Sequence, residues 1–200
     1  MSGQDRRWNH NIHYYPLVLA AVPPGCQRVL DVGCGEGTLA RQLAHRVPRV
    51  IGIDQDTASI ELARAQGPGG QVEFVRGEFL THRFSPASFG LITCVTALHH
   101  MDAAAALARM SQLLAPGGTL VIVGVARSRL PGLPRDAAAV IANLGHRVIK
   151  GYWQHPSPTV WPPPHTYGQI RALAGETLPG VSYRRHLLWR YSLAWVKPAS

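Results

Sequence analysis

The chain has 200 residues, 46% of them hydrophobic, enough for one compact domain with a sizeable core and too few to require a second. Its three cysteines, Cys26, Cys34 and Cys94, form an odd count with no Cys-x-x-Cys pair, which argues against a disulfide framework and a structural zinc site, and no metal is expected. The net charge of +9 is one-sided: residues 1–102 carry nine Lys or Arg against nine Asp or Glu, whereas residues 103–200 carry eleven against two, a field that would steer an anionic acceptor or an acidic partner. No apolar run approaches the roughly 20 residues of a membrane-spanning helix, and the first residues lack the cationic start and apolar stretch of a signal peptide. A cytoplasmic protein without membrane contact is therefore expected.

In chain order, Trp8 to Pro16 (Trp-Asn-His-Asn-Ile-His-Tyr-Tyr-Pro) is a polar and aromatic stretch read as a helical cap within residues 1–27. A buried strand at 28–32 then runs into Gly33, Gly35 and Gly37, which turn the chain where a ligand must lie against bare backbone. A helix near 37–46 follows, whose first N–H groups can face that ligand. The strand at 49–53 leads into Asp54, about twenty residues beyond the glycines, where a ribose hydroxyl pair would be held. Next come a helix at 57–65 capped by Asp56 or Thr57, strands at 72–75 and 90–94, and a helix at 103–114 capped by Asp102. Ala115-Pro-Gly-Gly118 ends that helix and turns into a strand at 119–124. A helix is expected over Pro134 to Leu144, then a loop from Gly151 to His165 with five prolines, Trp153 and Trp161. Thr166 and Gln169 have the form of a capping box for a further short helix, and Val181 to Val196 reads as a closing pair of strands. Alternation of this kind predicts an α/β fold: a doubly wound, Rossmann-like, mostly parallel sheet with helices on both faces.

A Gly-x-Gly-x-Gly turn after a strand is shared by nicotinamide, flavin and S-adenosylmethionine folds. The pieces around it narrow the choice: Val29 to Gly37 (Val-Leu-Asp-Val-Gly-Cys-Gly-Glu-Gly), Arg49 to Asp54, Val72 to Phe79, Phe89 to Met101 ending Ala-Leu-His-His-Met, and Leu113 to Gly118. On these motifs the chain resembles the class I S-adenosylmethionine-dependent methyltransferases, in the branch of small-molecule and ubiquinone-type enzymes. The resemblance implies seven strands, one of them antiparallel, and a single domain: a cap at 1–27, a cofactor-binding core at 28–125, a substrate-side region at 126–180 and the closing strand pair at 181–197.

The resemblance also implies the donor's partners. Asp31, Gly33, Cys34 and Gly35 would lie near its amino acid end, where a carboxylate and carbonyls suit an ammonium. Asp54 would accept the ribose hydroxyls, Gln55 would flank the adenine, Glu78 would stand near the adenine amino group with Phe79 beside the ring, and Cys94 and Val95 would offer backbone contacts near the methionine portion. Tyr14 and His13 would reach donor or acceptor from the cap. Methyl transfer is a displacement at a sulfonium carbon that depends on alignment and exclusion of water, with a base only where the acceptor must lose a proton. His99 and His13 are the candidates for that base. The expected reaction is methyl transfer to an oxygen, nitrogen or carbon of a small-molecule acceptor, in specialised metabolism. An RNA methyltransferase, a non-catalytic methyltransferase-like partner subunit and a nicotinamide oxidoreductase remain as alternatives, the last disfavoured because its third glycine usually comes one residue later. The absence of a Pro-Pro-Tyr motif argues against methylation of a flipped DNA base.

Overall fold

The computed structural model describes residues 9–67, 71–128, 162–186 and 188–199. A 3-10 turn at Ile12–Tyr14 leads into α1 (Tyr15–Ala20), and then β1 (Arg28–Val32), α2 (Thr38–Ala44), β2 (Arg49–Asp54), α3 (Thr57–Ala65) and β3 (Val72–Arg76) alternate. β4 (Phe89–Val95), a 3-10 turn at Leu98–His100, α4 (Ala103–Leu113), β5 (Leu114–Val125), α5 (Tyr167–Thr177), β6 (Ser182–Arg185) and β7 (Arg190–Val196) complete it. The strands form one seven-stranded sheet in the order β3-β2-β1-β4-β5-β7-β6. β1 to β5 pair in parallel, and β7 runs antiparallel to both β5 and β6. The expected helix over Pro134 to Leu144 and most of the proline-rich segment lie outside the described residues.

Strand periodicity divides the core between the two faces of the sheet. Val29, Val50, Leu91 and Val121 pack with Val18, Leu39, Leu43 and Ile60, so α1, α2 and α3 cover one face. Leu30, Ile51, Ile92 and Leu120 pack with Leu107, Met110, Ile170 and Ala174, so α4 and α5 cover the other. The helix starts are set by side chains: Asp56 accepts from Ser59 N, Asp102 accepts from Ala105 N, and Thr166 with Gln169 forms a complete capping box. β5 begins at Leu114, five residues earlier than the turn chemistry of Ala115 to Gly118 predicts. The reason is a long-range partner: Gly117 N donates to Lys197 O, Lys197 N donates to Gly118 O, and the Lys197 ammonium donates to the carbonyls of Ser111 and Leu114. These bonds satisfy the end of α4 and draw the segment into the sheet.

The chain proceeds outward from β1 to β2 and β3, then returns to place β4 on the opposite side of β1. The carboxyl ends of β1 and β4 therefore diverge at a topological switch point, the usual ligand crevice of open α/β sheets.

Candidate active site

A cleft of about 760 Å³ opens at that switch point. Its floor is the glycine loop after β1. Gly33 N and Cys34 N both donate to Ile53 O, at 2.8 and 3.1 Å, which sews the loop to β2. Gly33 has φ +70° and a Cβ there would overlap the Cβ of Ala97; Gly37 has φ +78° and a Cβ would run into the Phe74 ring. Only glycine permits this approach of the loop to β4 and β3. Beneath the loop, buried Glu36 accepts from Thr38 Oγ1 and Gln66 Nε2, while Arg41 donates to Glu36 O and Gln66 Oε1.

Two carboxylates flank the loop in different states. Asp54, at the end of β2, receives Gly35 N on Oδ2 and Asp56 N on Oδ1, both at 2.9 Å, which leaves further lone pairs on each oxygen. Asp31 stands beside Thr93 in the β1–β4 register, and Thr93 Oγ1 donates to its Oδ1 at 2.7 Å. Its Oδ2 is buried without a hydrogen-bond partner. Burial pushes the Asp31 carboxyl up to about 7; the Thr93 bond opposes the shift and nearby Asp54 adds to it. A carboxylate oxygen in this position lacks a cation or donor supplied from the cleft.

The rest of the wall comes from distant parts of the chain. Gln55, Glu78, Phe79, Val95 and His99 all line the cleft, as do Asp31, Gly33, Cys34, Gly35 and Asp54. Arg109 holds the loop after β3 in place, donating to Phe79 O and His82 O while its guanidinium lies 5.5 Å from the Phe79 ring centroid. His99 has its Nδ1 buried without a hydrogen-bond partner. Burial, aided by His100 and Arg190, lowers the His99 imidazole to about 4, so it is neutral near pH 7.

Three expected site residues are absent from the wall. His13 is exposed and makes an edge contact with Tyr14 at 4.8 Å, and Tyr14 packs into the core against His186 at 5.2 Å. The residue of the cap that faces the cleft is the next one, Tyr15, because the turn into α1 rotates Tyr14 inward. Cys94 is fully buried in β4, where burial pushes its thiol up to about 12, while its expected companion Val95 lines the cleft. Burial likewise raises the Cys34 thiol, so neither cysteine is an activated nucleophile.

Sequence reasoning missed Thr93, Asn11, Thr96, Trp189 and Arg190. Asn11 Oδ1 accepts from Thr96 Oγ1 at 2.7 Å and from Arg190 NH2 at 3.0 Å, tying the cap to the residue after β4 and to the start of β7. Among the described residues no group of three or more His, Cys, Asp or Glu gathers as metal ligands, and no helix is long and apolar enough to cross a membrane.

A seven-stranded sheet with a glycine loop at its switch point and an acid at the next strand end defines a ligand-binding α/β protein of the Rossmann-like class. The family described as a methyltransferase domain matches residues 29–118. The chain is 39% identical over 196 residues to an uncharacterised methyltransferase of Mycobacterium tuberculosis (strain ATCC 25618 / H37Rv), covering 97% of this chain and 99% of that one. It is 31% identical over 193 residues to a demethylmenaquinone methyltransferase of Roseiflexus castenholzii, covering 91% and 78% of the two chains. Phosphoethanolamine N-methyltransferase 2 of Haemonchus contortus, solved with phosphomonomethylethanolamine and S-adenosylhomocysteine, superposes with a TM-score of 0.65 at 18% identity, over 93% of this chain and 52% of that one, a likeness of fold. The chain belongs to the class I S-adenosylmethionine-dependent methyltransferases.

Proposed function

We propose that this protein moves a methyl group from S-adenosylmethionine to an oxygen, nitrogen or carbon of a small-molecule acceptor of the quinone-related kind. The observation that carries the donor assignment is the buried, partnerless Oδ2 of Asp31, a residue in the wall of a glycine-floored cleft. An α-ammonium supplies the charge and the donors that this oxygen lacks. Asp54, whose lone pairs are only partly used, would accept the ribose hydroxyls, and Gln55, Glu78 and Phe79 would surround the adenine. When bound, the donor brings a methyl group on a positively charged sulfur.

The chain's own residues then have three tasks. The glycine loop and the Asp31–Thr93 pair fix the donor end, so that the acceptor atom meets the methyl in line. Residues 9–12 and Trp189 shield the cleft from water. His99, held neutral, offers a ring nitrogen as hydrogen-bond acceptor and takes a proton only as the acceptor acidifies during transfer. The demethylmenaquinone relative, matched along most of this chain, supports the acceptor class.

Calorimetric titration of the purified protein with S-adenosylmethionine, S-adenosylhomocysteine and NADH tests the reading. Micromolar binding of the first two alone is expected. Binding of NADH in their place, or of none of the three, overturns it.

A further inference from the structure

Resting on the methyltransferase reading, we propose that Arg190 recognises the acceptor by gripping the carboxylate of an aromatic acid whose ring lies against Trp189. The two sides of the cleft have different origins. Asp31, the glycine loop, Asp54 and the Gly77–Phe79 segment project from the carboxyl ends of β1, β2 and β3. Arg190 opens β7 and pairs with Val125 at the carboxyl end of β5, on the other side of the switch point. That side of the cleft is lined by Val125, Trp189 and Arg190, and among the described residues Arg190 is the arginine of the cleft wall.

Its guanidinium is presented in a fixed attitude. Arg190 is only 8% exposed, a rare state for an arginine. NH1 donates to Leu188 O at 3.2 Å and NH2 to Asn11 Oδ1 at 3.0 Å, and that same Oδ1 is held by Thr96. A planar fork anchored at both terminal nitrogens is preorganised for a planar carboxylate, and its charge helps to lower the His99 imidazole.

Backbone strain concentrates at the same place. Leu188, Trp189 and Thr96 have φ of +57°, +56° and +55°. These are three of the four non-glycine residues with positive φ among the described residues, and all three adjoin Arg190 directly or through Asn11. A left-handed pair in the β6–β7 hairpin usually calls for Asn or Gly. Leucine and tryptophan adopt it here, burying Leu188 and delivering the Trp189 indole to the cleft wall. Strain kept at a ligand site is characteristic of a conformation held for binding. Trp189 gives a flat apolar surface beside a fixed cation, and a flat anion matches both.

The test titrates the S-adenosylhomocysteine-saturated protein with 3,4-dihydroxybenzoate and with catechol, a pair that differs only in the carboxylate. The wild-type protein is expected to bind the benzoate at least tenfold more tightly. Arg190→Gln should reduce that preference to twofold or less while holding S-adenosylhomocysteine within twofold of wild type. Trp189→Leu should weaken both probes alike. If Arg190→Gln fails to fold, Arg190→Lys keeps the charge without the fork and should still lose most of the preference. Equal affinity for the two probes, no binding of either, or a preference that survives at position 190 overturns the proposal. Loss of S-adenosylhomocysteine binding by the wild-type protein would instead overturn the methyltransferase reading beneath it.

Discussion

Donor binding should carry a proton signature set by Asp31. With its carboxyl near 7 in the free protein, Asp31 is protonated in about ten molecules of every eleven at pH 6. An ammonium on Oδ2 favours the carboxylate, so binding at pH 6 must expel that proton. The apparent affinity for S-adenosylhomocysteine should therefore be about tenfold weaker at pH 6 than on the plateau above pH 8, with half of the plateau value near pH 7. Titrations at pH 6 in two buffers of different ionisation enthalpy should report close to one proton released per ligand. The same carboxyl shapes stability. Because its pKa lies above the ordinary 3.8, the folded state holds a proton that the unfolded chain has released between about pH 4 and pH 7. Stability of the ligand-free protein falls as pH rises through that window, by about 4 kcal/mol at most, and is level beyond it. Asp31→Asn keeps an Oδ1 acceptor for Thr93 and removes the charge, so it should melt several degrees higher than wild type at pH 8, bind the ligand poorly and show no pH step. An affinity constant from pH 5.5 to 8 in the wild-type protein, with no proton released, would refute the assignment of Oδ2 to the donor's ammonium.

Thr93→Val removes the bond that restrains the Asp31 carboxyl and should move the pH step of ligand binding to higher pH in the same titration. Gly33→Ala forces a left-handed alanine against Ala97 and should lower the melting temperature by about 5 °C or more and abolish S-adenosylhomocysteine binding, with partial recovery of both in the Gly33→Ala, Ala97→Gly double variant. Asp102→Ala deletes the cap of α4 at a residue that is not part of the cleft wall; a loss of about 1 kcal/mol, or about 2–4 °C in thermal melting, with unchanged ligand affinity is the expected result.

The strands and the glycine loop on one side of the cleft were legible in the sequence because their parts are local. Strands β1 and β2 are short apolar runs that end in special residues, and the glycines declare themselves by spacing. The caps at Asp56, Asp102 and Thr166 follow from rules that span four residues. What failed was whatever needed phase or distance. Tyr14 and Tyr15 are adjacent aromatic residues, and only the rotation of the turn into α1 decides which one meets the cleft. The early start of β5 depends on Lys197, which no local pattern connects to Gly117. Arg190 did leave a mark, as a cation at the head of the otherwise apolar run Tyr191-Ser-Leu-Ala-Trp-Val196, but its partner Asn11 is 179 residues away.

That separation also sets an order in time. As the chain leaves the ribosome, β1, β2, β3 and β4 and the glycine loop are all made before β7, and their parallel pairings need nothing that comes later. Asn11, among the first described residues to emerge, has no Arg190 to hold until the hairpin of β6 and β7 has been added to the sheet. A nascent chain can thus assemble the glycine-loop side of the cleft early, whereas the opposite wall is finished only when two remote stretches of polypeptide meet, a slow closure of high contact order. A premature chain would carry the glycine-loop side of the cleft without the wall that Trp189 and Arg190 complete.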